Sequence, residues 1–289
     1  MHIKILGSAA DGGFPQLNCA CHNCAGLHGG TVKAKPRSQT QIAFSPIRDV
    51  WFLVGASPDL RGQILRTPEF APSPDSHGNS PVAGIFLPNA EIESVLGLLH
   101  LRGLDGYFVF ATPAVQRIVK NESRIFKALD RENAPVQWQA LAARRRIGCH
   151  LSENAGDPPT FFYTAIPVGA DFPAYASEEI RHNCLSEDAS IALLLEQGNK
   201  KLFVAPSMPG RHAEWMKAAA AADIALLDGS LPLDGPEGLL SQYPKDARGR
   251  KILVHVSHDN PVLDESSNEH RATLDAGFEI AYDGMELQL

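Results

Sequence analysis

Short apolar runs of strand length recur along the whole chain, at residues 2–6, 41–44, 50–54, 84–87, 106–111, 160–166, 191–195, 201–204, 224–227, 251–256 and 278–282. Runs this short, rich in β-branched and aromatic residues and bounded by Gly, Pro, Asn and Asp, are strands rather than helices. A helical bundle is thereby excluded. Apolar spacing of three and four residues predicts helices at 93–102, 113–121, 211–222 and 265–276. Strands in succession early, with helices interleaved later, predict sheets whose outer faces are covered by helices. Their even distribution predicts one large domain, residues 1–289.

Composition narrows the functions. With 44% apolar and 20% charged residues the chain can bury a substantial core, and no apolar stretch approaches the length of a membrane-spanning helix. A net charge of -7 gives no general attraction to nucleic-acid phosphates or anionic membranes, so neither is an expected partner. The opening MHIKILGSAADGG begins as a strand, without a basic segment, apolar segment and cleavage site, which predicts a cytoplasmic protein. Oligomeric state leaves no mark in the sequence.

Three of the five cysteines sit together in Asn18-Cys19-Ala20-Cys21-His22-Asn23-Cys24. Thiols at C-x-C-x-x-C spacing converge on one ion if the backbone folds tightly, and zinc takes four such ligands in a tetrahedron. The fourth ligand is either local, His22 or His28, or a distant residue that pins this loop to another part of the fold. Cys149 and Cys184 lack such company and read as buried free thiols. Gly7 to Gly13 match no phosphate-binding pattern and read as a tight loop leading to the cysteines. Ser57 lies in no G-x-S-x-G elbow and reads as a turn or cap residue. Residues 67–81, rich in Pro, Ser, Gly and Asp, read as a surface loop, and Arg144, Arg145 and Arg146 as a solvated face.

Several blocks carry a resemblance: HIKILGSAADGGFPQLNCACHNCAG at the start, then ASPDLR, LFVAPSMPG and LLDG, and finally ILVHVSHDNPVLDE and GFEIAYDGMEL. They resemble the pyrroloquinoline quinone synthesis protein B family of the metallo-β-lactamase superfamily, from residue 2 to residue 287. The resemblance implies an αββα sandwich of two mixed sheets with helices outside. The closing block is also similar to the cyclic phosphodiesterase of the phosphonate pathway, which has a similar three-cysteine cluster. Carried over, that likeness implies that His258 joins Cys19, Cys21 and Cys24 around a structural zinc, while His255 points into the cleft. His255 is then either a metal ligand or an imidazole satisfied by hydrogen bonds at the cleft floor.

Metallo-hydrolases of this superfamily carry H-x-H-x-D-H after a central strand, holding ions that activate water. The aligned stretch here is Asn89-Ala90-Glu91-Ile92-Glu93-Ser94. Even the quinone-synthesis family normally keeps an Asp-His pair where this chain has Glu93-Ser94. A bridging aspartate of the phosphodiesterases is likewise replaced by Ala205 or Pro206. Glu91, Glu93, Ser94, Asp228 and His255 are thus the candidates for a ligand cleft, joined by His182, and no catalytic metal is expected. Glu91 and Glu93, alternating along an extended segment, should face opposite ways. The resemblance implies a protein that binds or carries the quinone cofactor or its precursor, a transport role. The alternative is an iron-dependent oxygenase or hydroxylase of a tyrosine-derived precursor; a metal-dependent phosphodiesterase would need the ligands this chain lacks. Whether the protein is an enzyme stays open at this level.

Overall fold

The computed structural model describes the chain except for residues 73–79, 105, 131–135, 153, 155, 170, 209–212, 231–232, 234–237 and 248. The strands form two sheets of seven among the described residues. The first has the order β14-β1-β2-β3-β4-β5-β6, from β1 (His2–Gly7), β2 (Gln41–Ile47), β3 (Val50–Val54), β4 (Val82–Phe86), β5 (Phe108–Ala111), β6 (Gln137–Ala140) and β14 (Met285–Gln288). The second has the order β13-β12-β11-β10-β9-β8-β7, from β7 (Arg146–Cys149), β8 (Phe161–Pro167), β9 (Ile191–Gln197), β10 (Lys200–Ala205), β11 (Ile224–Asp228), β12 (Arg250–Val254) and β13 (Phe278–Ile280). Both sheets are mixed. β14, β1, β2 and β3 pair antiparallel, then β3 to β6 run parallel; β7 to β10 pair antiparallel, then β10 to β13 run parallel. Parallel neighbours require crossover segments in both halves, so helices interleave early as well as late.

The strand sequences explain the layering. Along β2 and β3 the side chains alternate between two cores: Ile42, Phe44, Phe52 and Val54 enter the layer between the sheets, while Ala43, Trp51 and Leu53 face the helices outside. β12 does the same in the second sheet, with Ile252 and Val254 inward and Leu253 outward. Strands buried on both faces read as continuous apolar runs, which is why the sequence marks them well. The centre is aromatic: Phe86 and Phe110 stack at 4.4 Å, and Phe161 meets Phe52 edge-on at 5.2 Å. Each such ring stabilises the fold by roughly 1.5–3 kcal/mol relative to its exposed state. The result is an α/β sandwich with helix, sheet, sheet and helix layers, the architecture the resemblance implies.

Several expectations are corrected. The helix expected over 93–102 is one short turn, Ile92–Val95, followed by a 3-10 segment, Leu96–Leu101. Gly97 lies against Ala56 and Ser57, where a Cβ would meet the Ser57 carbonyl oxygen at 2.2 Å, so this approach of the two backbones requires glycine. The 113–121 helix is Pro113–Arg117, which widens to π geometry over Ile118–Glu122. Helices at Ala213–Ala220 and Asn268–Asp275 fall inside the expected ranges, residues 211–212 lying outside the described ones. Of the surface loop over 67–81, Pro68–Phe70 is a 3-10 turn that buries Phe70 against Trp51 at 5.1 Å, and 73–79 lie outside the described residues. Arg144 and Arg146 are exposed but ion-paired, Arg144 with Glu187 and Glu214 and Arg146 with Glu196. Cys149 and Cys184 are free but only half-buried. Among the described residues no helix is long and apolar enough to cross a membrane.

Candidate functional site

Two constellations sit side by side where the N-terminal loop meets the end of β12. The first is the cysteine cluster. Cys21 has extended backbone (φ -62°, ψ 166°) and caps the helix His22–Gly29, its Sγ accepting the Cys24 N–H at 3.4 Å. Cys19 Sγ accepts the Cys21 N–H, and Cys24 Sγ the Gln16 N–H, each at 3.4 Å. The loop thus turns all three sulfurs inward. His258 Nδ1 arrives from across the fold, 3.5, 3.6 and 3.7 Å from the sulfurs of Cys19, Cys21 and Cys24. Asn23 fixes its loop by donating to the carbonyls of His258 (3.2 Å) and Asn260 (2.8 Å). The local candidates His22 and His28 are exposed.

The spacing fits zinc. With Zn–S near 2.3 Å and Zn–N near 2.0–2.1 Å, the S-to-N edges of a tetrahedron are about 3.6 Å long. All four donor atoms lie within 4.8 Å of one another, and among the described residues this is the one group of three or more metal-ligating side chains. Burial alone would raise the Cys21 thiol, but the Cys24 N–H and then the neighbouring side chains bring it down to about 6. Cys24, more deeply buried beside it, is pushed up to about 11. The Cys21 sulfur opposes ionisation of Cys24 beside it, and a divalent ion between them would remove that conflict.

The second constellation is the cleft at the carboxyl ends of β3, β4, β10 and β12, where open α/β sheets bind their ligands. His255 follows β12 with φ +53°, a left-handed conformation uncommon outside glycine. This turns its ring between two carboxylates: Nδ1 is 3.1 Å from Asp228 Oδ1, and Nε2 is 3.7 Å from Glu93 Oε2. Asp228 is 2% exposed and its oxygens also accept the N–H groups of Met208 (2.7 Å) and Ser230 (2.8 Å). Burial disfavours charge on His255, but Asp228 and then Glu93 outweigh it and raise the ring to about 10. At neutral pH it is an imidazolium.

Glu93 and Ser94 line the cleft, with Thr40, Ser207, Pro206 and His255. Glu91 and Asp228 do not: Glu91 is the extended residue just before the helix Ile92–Val95, its side chain making no capping bond, and Asp228 stands behind His255. The extended segment expected over 91–93 is therefore wrong, because Glu93 occupies the first helical turn. Burial, and then Glu93, raise the Glu91 carboxyl above its ordinary range. Asn89 is buried and its Oδ1 accepts the Glu91 N–H at 3.1 Å, a local turn bond. His182 is exposed on the helix Glu178–Asn183 and does not line the cleft. Ser57 is fully buried, a turn residue donating to Gln63 Oε1 at 2.9 Å.

The cleft is narrow. Its volume is about 20 Å³, room for one water molecule. Glu93 and His255 face each other across it. Sequence reasoning missed the backbone reversal at His255, for which no residue-type signal exists, and the clamp by Asn23, which sits in plain view between Cys21 and Cys24.

A β-lactamase superfamily domain profile matches residues 50–261. Over its full length, and theirs, the chain is 33% identical to coenzyme PQQ synthesis protein B of Azotobacter vinelandii and 34% identical to that of Pseudomonas aeruginosa. Among solved structures, zinc-bound PqqB from Methylobacterium extorquens superposes with a TM-score of 0.86 at 28% identity, covering 100% of both chains. A diphosphatase of the PhnP family superposes with a TM-score of 0.66 at 19% identity, covering 100% of this chain and 97% of that one, and shows the shared fold alone.

Proposed function

The chain belongs to the coenzyme PQQ synthesis protein B family, and from that premise we propose that it serves PQQ synthesis in the cytoplasm by binding or carrying the quinone or its precursor, without a catalytic metal. One observation carries this reading: the His255 imidazolium, held from behind by Asp228, turns Nε2 toward the cleft. A carboxylate of an anionic quinone can replace Glu93, whose side chain is 39% exposed and free to swing aside. The cation at the floor offsets the repulsion that cleft carboxylates would otherwise exert on an anion. In the resting state Glu93 closes the cleft.

Cys19, Cys21, Cys24 and His258 are the residues that would hold a structural zinc. The ion would supply a cross-link between segments 234 residues apart in sequence. The oxygenase reading fits the residues poorly. A ferrous facial site needs two imidazoles and a carboxylate, whereas His255 is the one imidazole lining the cleft among the described residues, and both Asp228 oxygens accept backbone N–H groups.

Calorimetric titration of pyrroloquinoline quinone into the zinc-loaded protein tests the reading. His255→Ala should abolish binding, and Glu93→Gln, which removes the internal competitor, should tighten it about tenfold, the scale of one charge-assisted bond. Equal affinity in all three proteins, or weaker binding by Glu93→Gln, refutes it.

A further inference from the structure

β6 and β7 are outer strands at the same end of the two sheets, and beside them a slot enters the aromatic layer between the sheets. Its volume is about 210 Å³ and it shares no lining residue with the His255 cleft. Phe52, Phe108, Phe110 and Tyr163 supply the walls, with Ala83 and Cys149 beside them. Gly148, Leu151 and the exposed Gln139 and His150 complete it. Among the described residues no Lys, Arg, Asp or Glu lines it.

The lining sets the occupant. An apolar cavity of about 150 Å³ holds a benzene ring, so this slot accepts one ring with a small substituent. A fused tricyclic polyanion is too large, and its charge would meet no counterion. Tyr163 is 6% exposed and held edge-on against Phe86 at 5.2 Å and Phe110 at 5.6 Å, yet its hydroxyl has no hydrogen-bond partner among the described residues. The hydroxyl oxygen itself is not sealed off from solvent, so it opens on the slot, where a ligand oxygen can take the place of water as its partner. Cys149, pushed up to about 11 by burial, stays a neutral thiol, so binding is non-covalent.

We propose that this slot is a second binding site, for a small neutral phenol, whose ring lies against Phe108 and Phe110 and whose hydroxyl bonds Tyr163. This goes beyond the quinone reading and does not depend on it.

Phenol and toluene are titrated separately into the full-length protein to millimolar concentration and followed by chemical-shift changes. Both should bind saturably. Tyr163→Phe should weaken phenol about fivefold, the factor for one ordinary hydrogen bond, and leave toluene unchanged. Ala83→Leu, which fills the slot, should abolish both while the melting transition persists. Non-saturable shifts in the parent protein, an equal loss for both ligands in Tyr163→Phe, or binding retained by a folded Ala83→Leu overturn the proposal. If Ala83→Leu does not fold, the Tyr163→Phe comparison decides alone. Neither variant touches the His255 cleft, so pyrroloquinoline quinone titration reads the two sites apart.

Discussion

Replacing Asp228 with Asn removes the negative charge that holds His255 while keeping the side-chain shape. Asp228 lies 3.1 Å from the ring and is 2% exposed, so solvent screens the pair little. Two routes give the cost. Burial favours the neutral ring, and Asp228 and then Glu93 overcome it to raise His255 from 6.5 to about 10; that net difference of 3.5, which the two carboxylates make together, corresponds to about 5 kcal/mol at about 1.36 per unit and sets the scale for losing the nearer one. Breaking one partner out of a buried ion pair costs about 3–5 kcal/mol. The routes agree in scale. Because the folded-state value is raised, the stabilisation is fully present below pH 6.5 and is lost as pH rises through about 10. Urea unfolding of the parent and of Asp228→Asn should therefore differ by about 3–5 kcal/mol near pH 6.5, and the gap should narrow above pH 10 to about 1 kcal/mol, that of a neutral hydrogen bond. A gap that does not change across this range refutes the argument. So does a proton NMR titration of His255 in the parent with its midpoint near 6.5.

Cys21→Ser should lower both zinc content, read by elemental analysis, and the melting temperature, since metal binding adds directly to folding free energy; full zinc occupancy with unchanged melting would rule the cluster out as a zinc site. The purified protein should show no turnover of β-lactams, thioesters or cyclic phosphodiesters, because Asn89 and Ser94 stand where imidazoles would position a metal-bound hydroxide. Metal-dependent turnover abolished by His255→Ala would contradict this.

Strands buried on both faces were legible as apolar runs, and the β3 bounds, Val50–Val54, coincide with the expected ones. The strands that reading overlooked, β6 (QWQA), β7 (RIGC) and β14 (MELQ), all lie at sheet edges, where one neighbour is missing and polar residues are tolerated. Thiol spacing pointed to a shared ion, but only the fold shows which distant imidazole approaches. In the cleft, the residue types were readable and their sides were not. Whether Glu93 faces His255 depends on a helix starting one residue earlier, at Ile92, and whether Asp228 lines the cleft or backs the ring depends on the φ of His255.

That left-handed residue lies three positions before His258, on a single short reach of chain from the end of β12 into the cysteine cluster. A non-glycine residue in this conformation costs about 1 kcal/mol or more and persists only where its surroundings enforce it. A zinc bound by the cluster would act as a splint for the imidazole: its removal would loosen the reach that sets the backbone of His255, with no ligand of the cleft itself removed. Chelators should then silence the cleft from outside it. A loss of quinone affinity after chelation would carry the outward signature of a catalytic metal while reporting a mechanical one, and restoring the four-ligand site alone would bring the affinity back.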